Sequence, residues 1–244
     1  MTGGTGLWMV TPAWQRAELS AVCLEQHRRV IDELASRGLE AHCVVVADDE
    51  NLDTARALGF DTVERDNDWL GRKFNDGQEW AGRHGAEWIV PLGSDSFVMA
   101  EYFLGPLPAP GSGLTSRMYA PVEPGRLAEL DVAFHGAGAG PHVFHRADME
   151  AAGFRPAPDE ISRNTDHNTI LGVQAAIGRP LSWSFRDLHP LQYAGFRHPP
   201  FITRYDRLVQ RWGRAERRDP WERLAEVYDA DLVARARALM EALP

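Results

Sequence analysis

Apolar and polar positions follow two different periods along the first hundred residues. Short apolar runs rich in β-branched residues indicate buried strands, and the stretches between them place apolar residues at helical spacing. The order along the chain is β-α-β-α-β-α-β. The predicted strands are 7–10, 42–47, 61–65 and 86–92. The predicted helices are 15–36 and 51–59, and residues 70–85 are predicted to be a loop that feeds a third helix.

Strands that alternate with helices predict an α/β fold with a parallel, doubly wound sheet. The middle of the chain is rich in glycine and proline, and its strand-like runs predict a mixed extension of that sheet. These runs lie near 114–120, 130–135 and 142–145. Three later helices are predicted at 147–153, 164–178 and 220–243.

One predicted strand ends on an isolated acid. Residues 88–98 read WIVPLGSDSFV, so Asp95 stands between two serines directly after an apolar run. Ligands of open α/β sheets bind beyond the carboxyl ends of the strands. The segments TPAW, DDEN, RDN and GSDS all lie at such ends. The sequence leaves two interpretations open, a metal site or an ordinary Asp/Ser turn.

Composition narrows the class of protein. The chain has 244 residues, 44% of them hydrophobic and 25% charged, which is typical of a globular chain of one or two domains. No apolar window predicts a membrane span or a signal peptide, so we expect a cytoplasmic protein. The net charge of −9 argues against nonspecific nucleic-acid binding, although residues 196–218 hold seven arginines against two acids.

Three common kinds of site, a dinucleotide-binding loop, a nucleophile elbow and a zinc site, are not supported by the sequence. The glycines at 3–6 precede a strand, and those at 136–140 lead into one, whereas a dinucleotide loop must join a strand to a helix. The GSDS segment is not a nucleophile elbow. His142 and His145 are three apart in a predicted strand and should face opposite sides, which argues against zinc.

The ordered motifs resemble the GT-A class of glycosyltransferases over residues 7–195. They are LWMVTPAW, VVVADDEN, GRKFNDG, WIVPLGSDSFV, ADMEAAGF, NTDHN and DLHP. The resemblance implies a GT-A (Rossmann-like) mixed sheet, mostly parallel and flanked by helices. It implies a domain at 1–195, with a nucleotide-sugar half at 1–100 and an acceptor half at 101–195. Residues 196–244 would form an Arg-rich helical extension.

The resemblance also implies a Mn²⁺ or Mg²⁺ cofactor. The class carries an Asp-x-Asp signature, and here Gly93 replaces the first acid while Asp95 matches the second, the usual metal ligand. His189 of DLHP matches a C-terminal histidine that completes the metal site, and His135 is the weaker candidate. A bound cation would stabilise the charge that develops on the leaving diphosphate.

The remaining site residues are assigned by the same resemblance. Asp166 matches the base of inverting enzymes, with Asp159 and Glu160 as the fallback pair, and Trp14 is a candidate for stacking on the nucleobase. Arg72 and Lys73 would cradle the diphosphate of a nucleoside-diphosphate sugar, expected to be a UDP-sugar. The full donor-binding set is Thr11, Pro12, Ala13, Asp48, Asp49, Arg72, Lys73, Asn75 and Ser94.

The acceptor is the least defined partner. Arginines interleaved with aromatics at 196–218 suit a nucleic-acid surface, and the chain is similar in general character to the phage TET-associated glycosyltransferases. We therefore expect 5-hydroxymethylcytosine in DNA as the acceptor, in the host cytoplasm if the chain is phage-encoded. The contacting residues would be Arg204, Arg207, Arg211 and Arg214.

Three other functions stay open. The acceptor could be a glycan, a lipid-linked sugar or a small metabolite instead of DNA. A nucleotidyltransferase on a related fold is a second possibility, although TPAWQRAEL lacks the glycine-rich loop of that class. A noncatalytic module that binds a sugar or nucleotide is the third, because the first signature acid is missing. The sequence does not predict an oligomeric state.

Overall fold

The computed structural model describes residues 6–134, 137–162, 164–196, 213–215 and 219–242. It confirms the predicted α/β fold, with a mostly parallel mixed sheet flanked by helices. The helices are α1 Ala17–Ser36, α2 Asp49–Ala57, α3 Leu70–Arg83, α4 Arg146–Ala151, α5 Thr165–Ile177, α6 Pro220–Ala225 and α7 Ala230–Ala242, with a short 3₁₀ helix at Ala100–Phe103.

Fourteen strands are described. They are β1 Leu7–Pro12, β2 Ala41–Ala47, β3 Asp61–Glu64, β4 Trp88–Pro91, β5 Ser96–Val98, β6 Ser112–Thr115, β7 Met118–Glu123, β8 Arg126–Asp131, β9 Ala133–Phe134, β10 Ala137–Gly138, β11 Val143–His145, β12 Ser182–Phe185, β13 Tyr193–Phe196 and β14 Gly213–Ala215.

The main sheet has seven strands in the order β12-β6-β11-β4-β1-β2-β3. Strands β1 to β4 run parallel, and β11 is antiparallel to both of its neighbours. The carboxyl ends of the parallel strands therefore meet at one edge, which we call the carboxyl edge. A second sheet, in the order β14-β8-β7-β13-β5, begins immediately after β4.

Hydrophobic clusters cover both faces of the main sheet. The first buries Leu7, Met9 and other side chains of β1 and β2 under α1 and α2. The second buries Trp8 and Val10 on the opposite face under α3 and α5. Strands buried on both faces are expected for a parallel sheet, and they explain why β1 and β2 are continuously apolar in the sequence.

A third cluster joins the second sheet to the C-terminal helices. Trp221 and Leu224 of α6 and Leu232 of α7 pack with Leu19 of α1 and Phe97 of β5. Apolar burial of this kind is the main force that fixes one element on another. The two C-terminal helices are therefore packed on β5, the strand that directly follows Asp95.

The C-terminal helix predicted at 220–243 is two helices in the structure. Asp229 breaks it, because its Oδ1 accepts the backbone N–H groups of Asp231 and Leu232, each at 3.1 Å, and so caps a new helix. The tyrosine hydroxyl of Tyr228 donates to the Leu191 carbonyl at 2.6 Å and fixes the bend.

Two further boundaries differ from the prediction. Strand β1 runs on to Pro12, so Thr11 and Pro12 lie in the sheet and not in a loop. Helix α3 begins at Leu70, so the start of the stretch 70–85, which was expected to be a loop, is already helical. Among the described residues, no helix is both long and apolar enough to cross a membrane.

Candidate functional site at the carboxyl edge

Asp95 lies in the turn that links β4 to β5, at the carboxyl edge of the sheet. Its Oδ2 accepts a hydrogen bond from Nη2 of Arg16 at 3.2 Å, and its Oδ1 accepts one from Oγ of Ser96 at 3.3 Å. The side chains of Arg16 and Asp95 are 28% and 20% exposed. The pair is therefore partly buried but still reached by solvent.

Helix α1 holds this turn, residues 93–96, which we call the acidic turn. Ser20 donates to Ser94 at 3.4 Å between hydroxyl oxygens, and Nε2 of His27 lies 3.1 Å from the Ser96 carbonyl oxygen. Together with Arg16, which directly precedes α1, these two side chains contact three successive residues of the turn. The acidic turn is fixed by packing and hydrogen bonds to a helix that is remote in sequence.

His27 is completely buried under the turn. Burial lowers its pKa from 6.5 to about 4, and the bond to the Ser96 carbonyl and the nearby Asp95 carboxylate only partly oppose this shift. The imidazole is therefore neutral at physiological pH. Its protonation would place an extra charge directly below the acidic turn.

Lys73 ties together the ends of three strands. It is only 2% exposed, and its Nζ donates to the Ala13 carbonyl at 2.9 Å and to Oδ1 of Asn67. Asn67 in turn donates to the carboxylate of Asp48. Burial lowers the pKa of Lys73, and the acids Asp48, Asp68 and Asp66 oppose that shift.

A glycine brings α3 close enough for this contact. A Cβ on Gly77 would lie 2.5 Å from Val10 and 2.8 Å from Val46 in the underlying strands. Because only glycine fits this close approach, α3 rests directly on the sheet. Lys73, one turn earlier, then reaches over the end of β1 to Ala13.

Several predicted donor-binding residues do meet at the carboxyl edge. Thr11, Pro12 and Ala13 are buried at the end of β1, Asp48 follows β2, and Ser94 is buried beside Asp95. Helix α2 begins at Asp49. Trp14, 37% exposed, lies in the same β1–α1 loop as Arg16.

Two other predicted donor-binding residues, Arg72 and Asn75, make contacts with other parts of the chain. Arg72 pairs with Asp68 on the surface of α3. Asn75 is buried, and its Nδ2 donates to the Ala157 carbonyl at 2.7 Å and to Asp159 at 2.8 Å. Both side chains are therefore engaged by partners outside the Lys73–Asn67–Asp48 hydrogen bonds.

The fallback base Asp159 also has a structural role. It accepts from Asn75 and from Nη2 of Arg155, at 2.7 Å for the latter, and these bonds hold its pKa below the usual value. A carboxylate stabilised in its charged form is a poor base. Glu160 is exposed next to it.

Asp166 lies in the first turn of α5, on the same edge as Asp95. It is exposed, and its carboxylate interacts electrostatically with the buried imidazole of His142. Antiparallel pairing of Phe144 with Ile89 places His142 across from Pro91, four residues before Asp95. Burial lowers the pKa of His142, and Asp166 opposes that shift, so Asp166 faces a neutral partner.

The predicted metal pair is not brought together. The Phe196 N–H donates to the Asp95 carbonyl, whereas the Met99 N–H donates to the Gln192 carbonyl at the other end of β5. Four residue steps, from Asp95 to Met99, separate these bonds, which is about 13 Å along a strand. His189 lies beyond Gln192, where Arg223, Glu129 and Glu226 act on its imidazole, and burial lowers its pKa.

The donors around Asp95 do not fit the expected Mn²⁺ or Mg²⁺. These cations take about six oxygen ligands, and one or two protein carboxylates can be supplemented by substrate phosphates and waters, so the carboxylate of Asp95 would have to be free for the cation. Within the described ranges, no group of three or more histidine, cysteine or acidic side chains could hold a metal ion. At the acidic turn the carboxylate of Asp95 is instead paired with a cation of the chain itself, Arg16.

Some predicted residues cannot be placed. His135 and the acceptor candidates Arg204, Arg207 and Arg211 lie outside the described residues. Arg214 belongs to β14, and its backbone lies opposite that of Glu129 in the antiparallel pairing with β8.

Arg16, Asn67 and His27 were not predicted as site residues, and His142 was considered only as a zinc ligand. Arg16 carried a weak signal, because it stands between a strand end and the start of a helix at the same edge as GSDS. The other three act through contacts between distant segments, which a single sequence does not display.

Comparisons with known proteins bear on the fold. No family profile and no curated protein matches the sequence. A structure of S. aureus TarS 1-349 in complex with UDP is 12% identical, with a TM-score of 0.54 over 80% of this chain and 61% of that one. The catalytic domain of Drosophila beta1,4galactosyltransferase 7 is 13% identical, with a TM-score of 0.47 over 74% and 65%.

The structure of a synthase is also similar. The 4-diphosphocytidyl-2C-methyl-D-erythritol synthase of Anaerococcus prevotii is 9% identical, with a TM-score of 0.47 over 84% of this chain and 94% of that one. Of the three structures named, TarS alone has a TM-score above 0.5. The chain spans less than two thirds of the length of TarS 1-349 and of the Drosophila domain. The architecture is that of the GT-A fold found in glycosyltransferases.

Proposed function

We propose that this protein transfers a sugar from a nucleoside-diphosphate sugar to a hydroxyl group of an acceptor. One observation carries the proposal. At the carboxyl edge of a GT-A sheet, the Arg16–Asp95 pair and the Lys73 network meet at the ends of neighbouring strands. In open α/β sheets this edge is where ligands bind.

The donor would lie along this edge. Its diphosphate would face the acidic turn, and its nucleoside would lie over Ala13 and Asp48, between the ends of β1 and β2. The expected donor is a UDP-sugar, a choice supported by the sequence resemblance and by the UDP in the TarS complex. Arg72, Asn75 and His189 have no part in this arrangement, because their contacts hold them elsewhere.

Asp166 would act as the base. The acceptor oxygen attacks the anomeric carbon, the carboxylate of Asp166 takes the hydroxyl proton, and the electron pair of the breaking bond leaves with the diphosphate. Attack opposite the leaving group gives inversion. A neutral His142 suits this role, since a cationic neighbour would lower the basicity of the carboxylate.

The acceptor is proposed from sequence alone. The Arg-rich segment 196–218 supports DNA that carries 5-hydroxymethylcytosine, with Arg204, Arg207, Arg211 and Arg214 against the phosphates. Incubation of the protein with a sugar nucleotide and hydroxymethylated DNA should add the mass of one sugar to the modified base. Turnover on a glycan or a small metabolite, with no gain of mass on DNA, would reject this acceptor.

A thermal-shift panel tests the proposed activity. We expect one of the UDP-, GDP- and CMP-sugars to raise the unfolding temperature, and the shift should be larger than with the corresponding nucleoside triphosphate. Stabilisation by a nucleoside triphosphate alone would favour the nucleotidyltransferase alternative. Stabilisation by a sugar nucleotide without any transfer or hydrolysis would favour a binding module.

A further inference from the structure

We propose that Arg16 supplies the positive charge that holds the donor's diphosphate, at the place where a divalent cation is expected. The inference rests on the proposed function, because it names how that same site holds its donor. The expected metal ligands were Asp95 and His189, whereas the side chain that the fold brings to Asp95 is that of Arg16.

The carboxylate of Asp95 is already engaged on both oxygens. Nη2 of Arg16 lies 3.2 Å from Oδ2, and Oγ of Ser96 lies 3.3 Å from Oδ1. A dication bound to this carboxylate would lie a few ångströms from a guanidinium, and like charges repel strongly in a partly buried site. His189 cannot relieve this, since it lies beyond the far end of β5.

The backbone of the β1–α1 loop places Arg16 at the edge. Arg16 is the residue directly before α1, in a left-handed conformation with φ of 44°, and the preceding Gln15 also has a positive φ of 53°. The contacts of Ser20 and His27 hold the same helix against the acidic turn. The guanidinium is therefore held between a helix start and a strand end, and it remains 28% exposed.

A guanidinium suits the chemistry proposed for this edge. Its planar fork can donate two parallel hydrogen bonds to phosphate oxygens and keeps its charge at any working pH. As the bond between the anomeric carbon and the phosphate oxygen breaks, its electron pair stays on that oxygen. Arg16 stabilises this charge electrostatically and neither gains nor loses a proton.

Asp95 then acts as a positioning residue. Its carboxylate accepts from one corner of the guanidinium and limits the rotation of a long side chain. Replacing it with asparagine keeps an acceptor oxygen at the same place. Asp95→Asn should therefore weaken donor binding less than the loss of Arg16 itself, whereas at a metal site the loss of the carboxylate charge should weaken the Mn²⁺-dependent part of binding.

Titration calorimetry with UDP and with inorganic pyrophosphate tests the proposal. Wild-type protein should bind both in excess EDTA, with dissociation constants within about 2-fold of those in Mn²⁺. Arg16→Gln should weaken both by about 10- to 100-fold in either condition. Arg16→Lys, which keeps the charge without the fork, should fall between. Arg37→Gln is the matched control, at the other end of α1 about 30 Å away.

The outcomes separate this inference from the proposed function. Binding of UDP only with Mn²⁺, or equal binding by Arg16→Gln and wild type, would overturn the role of Arg16 and leave the transferase proposal standing. No binding of either ligand to the wild type, with or without Mn²⁺, would overturn both. If Arg16→Gln does not fold, binding of UDP and pyrophosphate by Arg16→Lys and Asp95→Asn is compared with that of the wild type instead.

Discussion

Acid should loosen the acidic turn through His27, and the effect can be calculated from its burial. The folded-state pKa of about 4 lies below the unfolded value of 6.5, so the unfolded chain binds more protons in that interval. The stability that His27 contributes is complete above about pH 6.5 and is lost as the pH falls towards 4. Between about pH 7.5 and 5 the loss amounts to about 2 kcal/mol.

Urea unfolding at pH 7.5 and pH 5 measures this contribution of His27 to the free energy of unfolding. The free energy of unfolding of the wild type should fall more than that of His27→Gln by about 2 kcal/mol, since glutamine can still donate to the Ser96 carbonyl but does not titrate. The same difference corresponds to a shift in Tm of about 4 to 8 °C for a chain of this size.

A control separates His27 from the other histidines. His84 is exposed on the surface, with Nδ1 2.8 Å from the Trp80 carbonyl, so His84→Gln should keep the pH dependence of the wild type. If His27→Gln and wild type lose the same free energy on acidification, His27 is not neutral and buried in the folded protein. The account of how α1 holds the acidic turn would then be wrong.

Two further predictions concern α5. Asp166→Asn should lower turnover by about 10²- to 10⁴-fold while the dissociation constant of the donor stays within about 2-fold, because the residue is assigned to proton transfer only; an unchanged rate would remove it as the base. Gly172→Ala should destabilise the fold by about 1 to 3 kcal/mol in urea, because the added Cβ would lie 1.8 Å from the carbonyl oxygen of Pro156; wild-type stability would show that α5 does not pack so closely on the 155–161 loop.

The main elements of the fold could be predicted because their signals are local. The β-branched run of β2 and the helical spacing of α1 are each contained in one stretch of sequence. The position of Asp95 at a strand end could also be predicted from order alone. The break at Asp229 had a readable signal, since aspartate at the start of a helix is a common cap.

The chemistry of the site depends on contacts that the sequence does not display. Arg16 and Asp95 are 79 residues apart, and Lys73 lies 60 residues from the Ala13 carbonyl that it contacts. Which charges meet is decided by the sheet order and by close packing such as that at Gly77. The same motif that resembles a metal site in sequence is therefore closed in the structure by an arginine.

The predicted metal pair, Asp95 and His189, also depended on a contact that the sequence does not display. Asp95 and His189 both follow strands, and sequence order gives no reason to separate them. The pairing of β5 with β13 does, because the strands run antiparallel and carry the two residues to opposite ends. Register between strands far apart in the chain is a property of the folded sheet, set by side chains on both partners.

A crystal structure of the protein with bound UDP, grown in the presence of EDTA, tests the central claim most directly. We expect the diphosphate at the carboxyl edge, with its oxygens within hydrogen-bonding distance of the Arg16 guanidinium and the uridine over Ala13 and Asp48. A diphosphate bound elsewhere, with the Arg16–Asp95 pair undisturbed and distant from it, would contradict the account.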